Sequence, residues 1–164
     1  MRRALFDHMT PGRCVRGFSL VELLTSIVIV GVLISVFYSV FILNWKAMED
    51  YSVRSGLWQD MDLIIDQITL DARESAQINV SADQKNVSML NRQSAVIAAY
   101  AFTAGGMCQV TRTGVTTTLT NSLDYALSTF RKNGESLVVN VVLAGDVLGR
   151  EVSIDASTEI YPRN

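Results

Sequence analysis

The strongest constraint on this chain is an apolar run near its amino terminus. Residues 18–43 read FSLVELLTSIVIVGVLISVFYSVFIL, and Glu22 is the only charged side chain among these 26 residues. A helix needs about 20 predominantly apolar residues to cross a bilayer. The run therefore predicts a membrane-spanning helix, with a domain built from the residues that follow it.

Charge is distributed unevenly on the two sides of this run. Residues 1–17 carry four arginines and one aspartate, whereas the rest of the chain has more acidic than basic side chains and the whole has a net charge of −2. Positively charged flanks stay on the cytoplasmic side of a membrane. We therefore expect a cytoplasmic leader and a head on the other side, and the acidic head argues against nucleic-acid binding.

The leader does not follow the plan of a secretory signal peptide. In such a signal the apolar core precedes a small-residue cleavage site, but here Gly17 precedes the core. Pro11 and Gly12 disfavour a helix in the leader, as an accessible cleavage segment requires. A cut after Gly17 would remove the positive charges and keep the apolar run on the mature protein.

The sequence around this glycine, Arg16-Gly17-Phe18-Ser19-Leu20-Val21-Glu22, resembles the class III signal of type IV pilins and type II secretion pseudopilins. The resemblance implies that a membrane-embedded prepilin peptidase cuts between Gly17 and Phe18 and methylates the new amino group of Phe18. It also implies that Glu22 pairs with the amino terminus of a neighbouring subunit during filament assembly. The implied partners are that peptidase, other pilin or pseudopilin subunits contacted through helix 18–78, and an inner-membrane assembly platform.

Glu22 also calls for a physical account. A carboxylate at the centre of a bilayer costs roughly 3 kcal/mol, but Glu22 lies only about 6 Å along a helix from Phe18, near the interface. A charge at such a depth usually has a partner, and the amino group of Phe18 is one candidate. The alternative is that Glu22 reaches the lipid headgroups and pairs with nothing.

The helical pattern continues past the apolar run. No proline occurs between Pro11 and Pro162, so we predict one helix from Phe18 to about Ala76, with 44–78 as its amphipathic half. Apolar residues recur at the spacings of three and four that mark one helix face. This stripe contains Leu57, Met61, Ile64, Ile65, Ile68 and Ala72.

Residues 79–164 change to the period of β-strands and predict a globular head. We expect a loop at 79–86, then strands near 87–90, 95–102, 107–112, 115–120, 123–127, 137–143 and 152–156, with an Asn133-Gly134 hairpin turn. One face of this antiparallel sheet would cover the helical stripe. The fold class is α+β and pilin-like: a long amino-terminal helix packed on an antiparallel sheet.

Residues with catalytic or ligand chemistry are scarce. The only histidine, His8, lies in the leader, and no nucleophile or phosphate-loop motif occurs. We expect no enzyme activity, no cofactor and no metal site. Residues 145–149 offer too few oxygens for calcium, and the acidic residues Asp60, Asp62 and Asp66 read as a solvated helix face.

Three further side chains have simple explanations. Cys108 is the only cysteine left after removal of the leader, and it reads as a buried apolar thiol, with an intermolecular disulfide as the alternative. Trp45 fits an interfacial anchor. We expect Trp58 to pack against the head.

The sequence thus favours a structural subunit of a type IV pilus-like or pseudopilus filament, located in the inner membrane as a single-pass protein and then in the filament. Ser39 stands about where many major pilins carry a helix-loosening proline, which favours a minor subunit. The alternative is a membrane-anchored periplasmic binding protein that does not polymerise. The sequence does not distinguish whether the subunit serves a type IV pilus, a type II secretion system or a DNA-uptake system.

Overall fold

The computed structural model describes residues 19–162, so the leader and the cleavage site at Gly17 and Phe18 lie outside the described residues. One helix, α1, covers Leu20–Glu74 and is followed by eight strands. The strands are β1 (Gln77–Val80), β2 (Asn86–Leu90), β3 (Val96–Thr103), β4 (Met107–Arg112), β5 (Val115–Thr120), β6 (Thr129–Asn133), β7 (Ser136–Val147) and β8 (Arg150–Ile160). The chain divides into two compact units, one up to Asn44 and one from Trp45.

The strands of the second unit form two antiparallel sheets. Strands β1 to β5 lie side by side in chain order, and β6, β7 and β8 form a second, three-stranded sheet. Short hairpins suit this meander because antiparallel neighbours need only tight turns. Thr113 and Gly114, with φ of 50° and 81°, form the two-residue connection between β4 and β5, and both adopt the left-handed conformation of a type I′ turn.

The hairpin of β6 and β7 differs in detail from the expected turn. Asn133 is the last residue of β6 and pairs with Ser136, so Gly134 and Glu135 are the two turn residues. Gly134 has a φ of 61°, which glycine adopts without steric cost. The turn therefore begins one residue later than the sequence predicts.

The apolar stripe of α1 forms the centre of the head. Leu57, Met61, Ile64, Ile68 and Ala72 are buried in one core with side chains from both sheets, which confirms that part of the predicted stripe; Ile65 is only partly buried. Among the sheet residues of this core, Phe102 and Phe130 stack with ring centroids 4.1 Å apart. The expected α+β fold, a long amino-terminal helix packed on antiparallel sheet, is confirmed.

One glycine lets helix and sheet approach each other closely. A Cβ atom added to Gly145 of β7 would lie 3.0 Å from Cγ1 of Val53 and 3.4 Å from Cδ1 of Leu57. The first distance is shorter than a comfortable carbon–carbon contact. Gly145 lies beyond the strand predicted at 137–143, but it is a residue of β7 and makes room for α1.

Three local expectations are wrong. Helix α1 ends at Glu74 rather than near residue 76 or 78, and Gln77–Val80 forms strand β1 on the edge of the five-stranded sheet. Residues 123–127 do not form a strand, because the Asp124 carboxylate accepts hydrogen bonds from the backbone N–H groups of Ala126 and Leu127 and holds a turn. Trp58 remains 49% exposed instead of packing against the head.

Candidate functional site

Glu22 lies in the first turn of α1, which begins at Leu20. The backbone N–H of Leu23 donates to the carbonyl oxygen of Ser19 at 3.1 Å, so the helical hydrogen-bond pattern includes the last residue before the helix. A carboxylate is favourable at this end because the helix dipole carries its positive end there. The Glu22 side chain is exposed, which leaves it accessible to a partner outside the chain.

Hydroxyl groups along the apolar run donate to carbonyl oxygens of their own helix. The hydroxyls of Thr25 and Ser26 both donate to the carbonyl oxygen of Glu22, at 3.0 and 2.7 Å. The Ser35 hydroxyl donates to Val32 at 2.7 Å, and that of Ser39 donates to Ser35 at 2.9 Å. The hydrogen-bonding needs of these four hydroxyl groups are therefore met within the helix.

Residues 19–162 leave most apolar side chains of this segment exposed. An 18-residue window of α1 is apolar enough to cross a membrane, and none of its residues is buried. The expected membrane-spanning character is thus supported by length and composition. Gly31 has open space beside it, with no atom within 4 Å of an added Cβ, so another helix can approach closely there.

A polar cluster joins the end of α1 to the five-stranded sheet. Both Nε and Nη2 of Arg112 donate to Oδ2 of Asp71, at 3.1 and 2.7 Å, and the Tyr100 hydroxyl donates to the same oxygen at 2.5 Å. Gln67 accepts a longer bond of 3.5 Å from Arg112. The side chain of Asp71 is 12% exposed and that of Arg112 is 42% exposed. Within this ion pair the Asp71 carboxylate is therefore largely buried, whereas the Arg112 guanidinium is partly open to water.

The cluster changes how its members ionise. Burial, followed by the hydrogen bond to Asp71, raises the pKa of Tyr100 well above its usual value. The hydrogen bond to Asp71 raises the pKa of Arg112. Tyr100 therefore stays a neutral hydrogen-bond donor and Arg112 stays a cation at any pH the protein meets. The cluster is a structural joint between α1, β3 and β4.

Lys85 forms a second joint, between the connection of β1 and β2 and the loop before β6. Its Nζ donates to the carbonyl oxygens of Tyr125 and Ser128, the latter at 2.6 Å, and lies 4.5 Å from the centre of the Tyr125 ring. A cation over an aromatic face is attracted by the ring quadrupole. Lys85 therefore adds to the hydrogen bonds of Asp124 in holding the loop at 123–128, where the sequence predicted a strand.

The acidic residues of α1 are not equivalent. Asp60 accepts a hydrogen bond of 2.6 Å from the hydroxyl of Thr120 on β5, whereas Asp62 and Asp66 are exposed. Asp60 and Asp71 therefore belong to the helix–sheet contact. For Asp60 this corrects the prediction of a solvated helix face. Within residues 19–162 no group of three or more histidine, cysteine or acidic residues is arranged to hold a metal ion.

Cys108 on β4 is fully buried and unpaired, as the simpler of the two interpretations expected. Burial raises the pKa of its thiol to about 12.

Because only the thiolate is a good nucleophile, native protein carrying Cys14→Ser should not react with a thiol reagent at pH 8, whereas the urea-unfolded protein should react rapidly. Stoichiometric labelling of the native protein at a rate independent of urea would contradict this assignment.

Comparison with known protein families identifies a motif in the amino-terminal segment. Residues 12–38 match the family described as the prokaryotic N-terminal methylation motif. The match includes Gly17, Phe18 and Glu22 and extends into the apolar half of α1. Searches of curated proteins and of solved structures return no match to this chain.

Proposed function

We propose, from the premise that the methylation motif fits this chain to the type IV pilin and pseudopilin family, that the protein is a structural subunit of a pilus-like or pseudopilus filament. The motif implies processing by a prepilin peptidase and association with the membrane. The motif lies directly before an uncovered apolar helix, and this observation carries the proposal.

The order of events follows from the placement of charge and apolar surface. Removal of residues 1–17 takes away four arginines and leaves an apolar helix with a free terminus in the inner membrane. Extraction into a filament exchanges lipid for the apolar helices of other subunits. Such an exchange needs an assembly machine, because burial in protein and burial in lipid differ little in free energy.

In this proposal Glu22 selects the position of the incoming subunit. Its exposed carboxylate in the first turn of α1 pairs with the methylated amino group of Phe18 on a neighbouring subunit. An unpaired charge at that depth is costly, whereas a paired one is tolerated. The protein acts mechanically and is not an enzyme.

Two observations favour a minor subunit over a major one. Ser39, inside an uninterrupted α1, stands about where many major pilins carry a proline. The head contains no disulfide among the described residues, since Cys108 is free. A minor subunit would start assembly or lie near the filament tip, and it would be scarce in sheared filaments in which a major subunit dominates.

Intact-mass spectrometry of protein recovered from membranes tests the first step. With an active prepilin peptidase we expect a chain that begins at Phe18 and carries one added methyl group. Without the peptidase we expect the full chain. Gly17→Val is the matched control, because a β-branched side chain replaces the hydrogen next to the cut.

The opposite result would change the assignment. A protein that retains residues 1–17 beside an active peptidase, while a known substrate in the same cells is processed, would be a membrane-anchored binding protein and not a filament subunit. Neighbouring genes would identify the system that the subunit serves.

A further inference from the structure

The tip of the β7–β8 hairpin and the part of α1 that follows the apolar run line one groove of about 600 Å³. The helix side of this groove is formed by Lys46, Asp50 and Arg54, and the hairpin side includes Leu148 and Arg150. All of these residues belong to the unit that begins at Trp45. The groove therefore belongs to the head.

The charge of the groove is positive. Asp50 is already engaged, because its Oδ2 accepts from Nε of Arg54 at 3.0 Å. Within residues 19–162 neither Lys46 nor Arg150 forms an ion pair. The two remaining cations lie on opposite sides of the groove and suit a negatively charged occupant.

The hairpin tip holds an apolar side chain where the backbone disfavours it. Leu148 has a φ of 53° and Gly149 a φ of 76°, and these two residues connect β7 to β8. The left-handed conformation is unfavourable for a residue with a Cβ, and type I′ turns prefer asparagine in that place. Leu148 is nevertheless 55% exposed, so its side chain is not retained for packing within the head.

Position along the chain places this groove at the membrane surface. Lys46 follows Leu43, the last residue of the apolar run, by three residues. Lysines at this place extend their ammonium groups to the headgroup layer. Because Lys46 lines the same groove as Leu148 and Arg150, the hairpin tip lies close to that layer when α1 is anchored.

We propose that this groove and hairpin tip dock on anionic phospholipids, with a headgroup phosphate between Lys46 and Arg150 and the side chain of Leu148 inserted into the interface. Docking of this kind would hold the head against the membrane. The inference depends on membrane anchoring and not on filament assembly.

The acidic residues near the hairpin tip do not occupy the groove. The Asp146 carboxylate accepts a hydrogen bond from the backbone N–H of Gly149 at 3.0 Å and closes the turn. Glu49 precedes Asp50 in the sequence and Glu151 follows Arg150, but neither glutamate lines the groove. They lower the net charge of the region, so the docking should be sensitive to salt.

A fluorophore at the hairpin tip tests the proposal in the full-length, anchored protein. The label is attached to Leu148→Cys in a Cys14→Ser background and the protein is reconstituted in phosphatidylcholine vesicles with or without phosphatidylglycerol. The matched reporter is Leu127→Cys, since Leu127 is similarly exposed, at 59%, on a loop outside the groove. Buried Cys108 stays unlabelled in native protein.

We expect the label at 148 to become protected from acrylamide only when phosphatidylglycerol is present, while the label at 127 stays accessible. Lys46→Gln and Arg150→Gln should each lower the ratio of protected to accessible label by about fivefold, the effect of one basic residue near an anionic surface. High salt should do the same.

Two results would overturn the proposal. Equal quenching of the two labels in phosphatidylglycerol vesicles would show that the tip does not touch the membrane. In the second result, protection of the label at 148 rises with the protein-to-lipid ratio and does not depend on phosphatidylglycerol. The occupant of the groove would then be a second copy of the chain. Removal of residues 1–17 is measured separately, by intact mass of protein from cells with an active peptidase, so neither vesicle result changes the filament proposal.

Discussion

Glu22→Ala is expected to lower incorporation of the protein into filaments by at least about tenfold, while the protein remains anchored and processed. The reason is the loss of an ion pair in an apolar environment: removing one partner of such a pair costs about 3–5 kcal/mol, because the other charge is left alone. In the variant the uncompensated charge is the amino group of Phe18 on the neighbouring subunit.

The measurement is the ratio of the protein in sheared filaments to that in membranes. Asp62→Ala is the matched control, since Asp62 is an exposed carboxylate on the same helix and its removal should leave the ratio within about twofold. Glu22→Asp, which keeps the charge but shortens the side chain, should give an intermediate ratio. Intact mass establishes that Phe18 is still exposed by the peptidase in each variant.

A different outcome would separate the two interpretations of Glu22. If Glu22→Ala enters filaments as well as the unchanged protein does, the carboxylate has no partner in the assembly and only reaches the headgroups. If the unchanged protein itself never enters filaments, the membrane-anchored binding protein becomes the better description.

Asp71→Ala should destabilise the head by about 3 kcal/mol, the largest effect expected from a single change in its polar contacts. The substitution removes the acceptor shared by Tyr100 and Arg112, and it leaves the Tyr100 hydroxyl, in a side chain only 1% exposed, without its main partner. The partial exposure of Arg112 limits the loss, because water can solvate the guanidinium.

Urea unfolding of the full-length protein in detergent, followed by circular dichroism, measures this change. Asp66→Ala, an exposed acid on the same helix, should change the free energy of unfolding by less than about 0.5 kcal/mol. Tyr100→Phe should cost about 1 kcal/mol, since the Asp71–Arg112 bonds remain. An Asp71→Ala variant no less stable than Asp66→Ala would show that the cluster does not hold α1 to the sheet.

The sequence predicted the parts of the fold that depend on periodicity. The stripe from Leu57 to Ala72 was recognisable because a buried helix face repeats every three to four residues. Strand β1 was missed because Gln77–Val80 contains only two apolar residues beside a polar loop. Residues 123–127 alternate like a strand, but backbone N–H groups donate to the Asp124 carboxylate and form a turn instead.

The polar joints were beyond the reach of the sequence for a different reason. Asp71 and Arg112 are 41 residues apart, and nothing in the spacing connects them. A carboxylate on an amphipathic helix is usually solvated, so Asp71 was indistinguishable from Asp66 until the fold placed Tyr100 beside it. The amino-terminal motif shows the contrast, since its residues are contiguous and it was readable without any fold.

Four hydroxyl groups of the apolar segment form the same hydrogen bonds whether lipid or protein surrounds the helix. Thr25, Ser26, Ser35 and Ser39 each donate to a carbonyl oxygen of their own helix, so none of these hydrogen bonds has to be exchanged when lipid is replaced by protein. Glu22 is the only charged side chain of the run. The free-energy difference between one apolar environment and another is therefore concentrated at this carboxylate and at the amino group of Phe18 that cleavage would create, and the rest of the segment changes little in solvation.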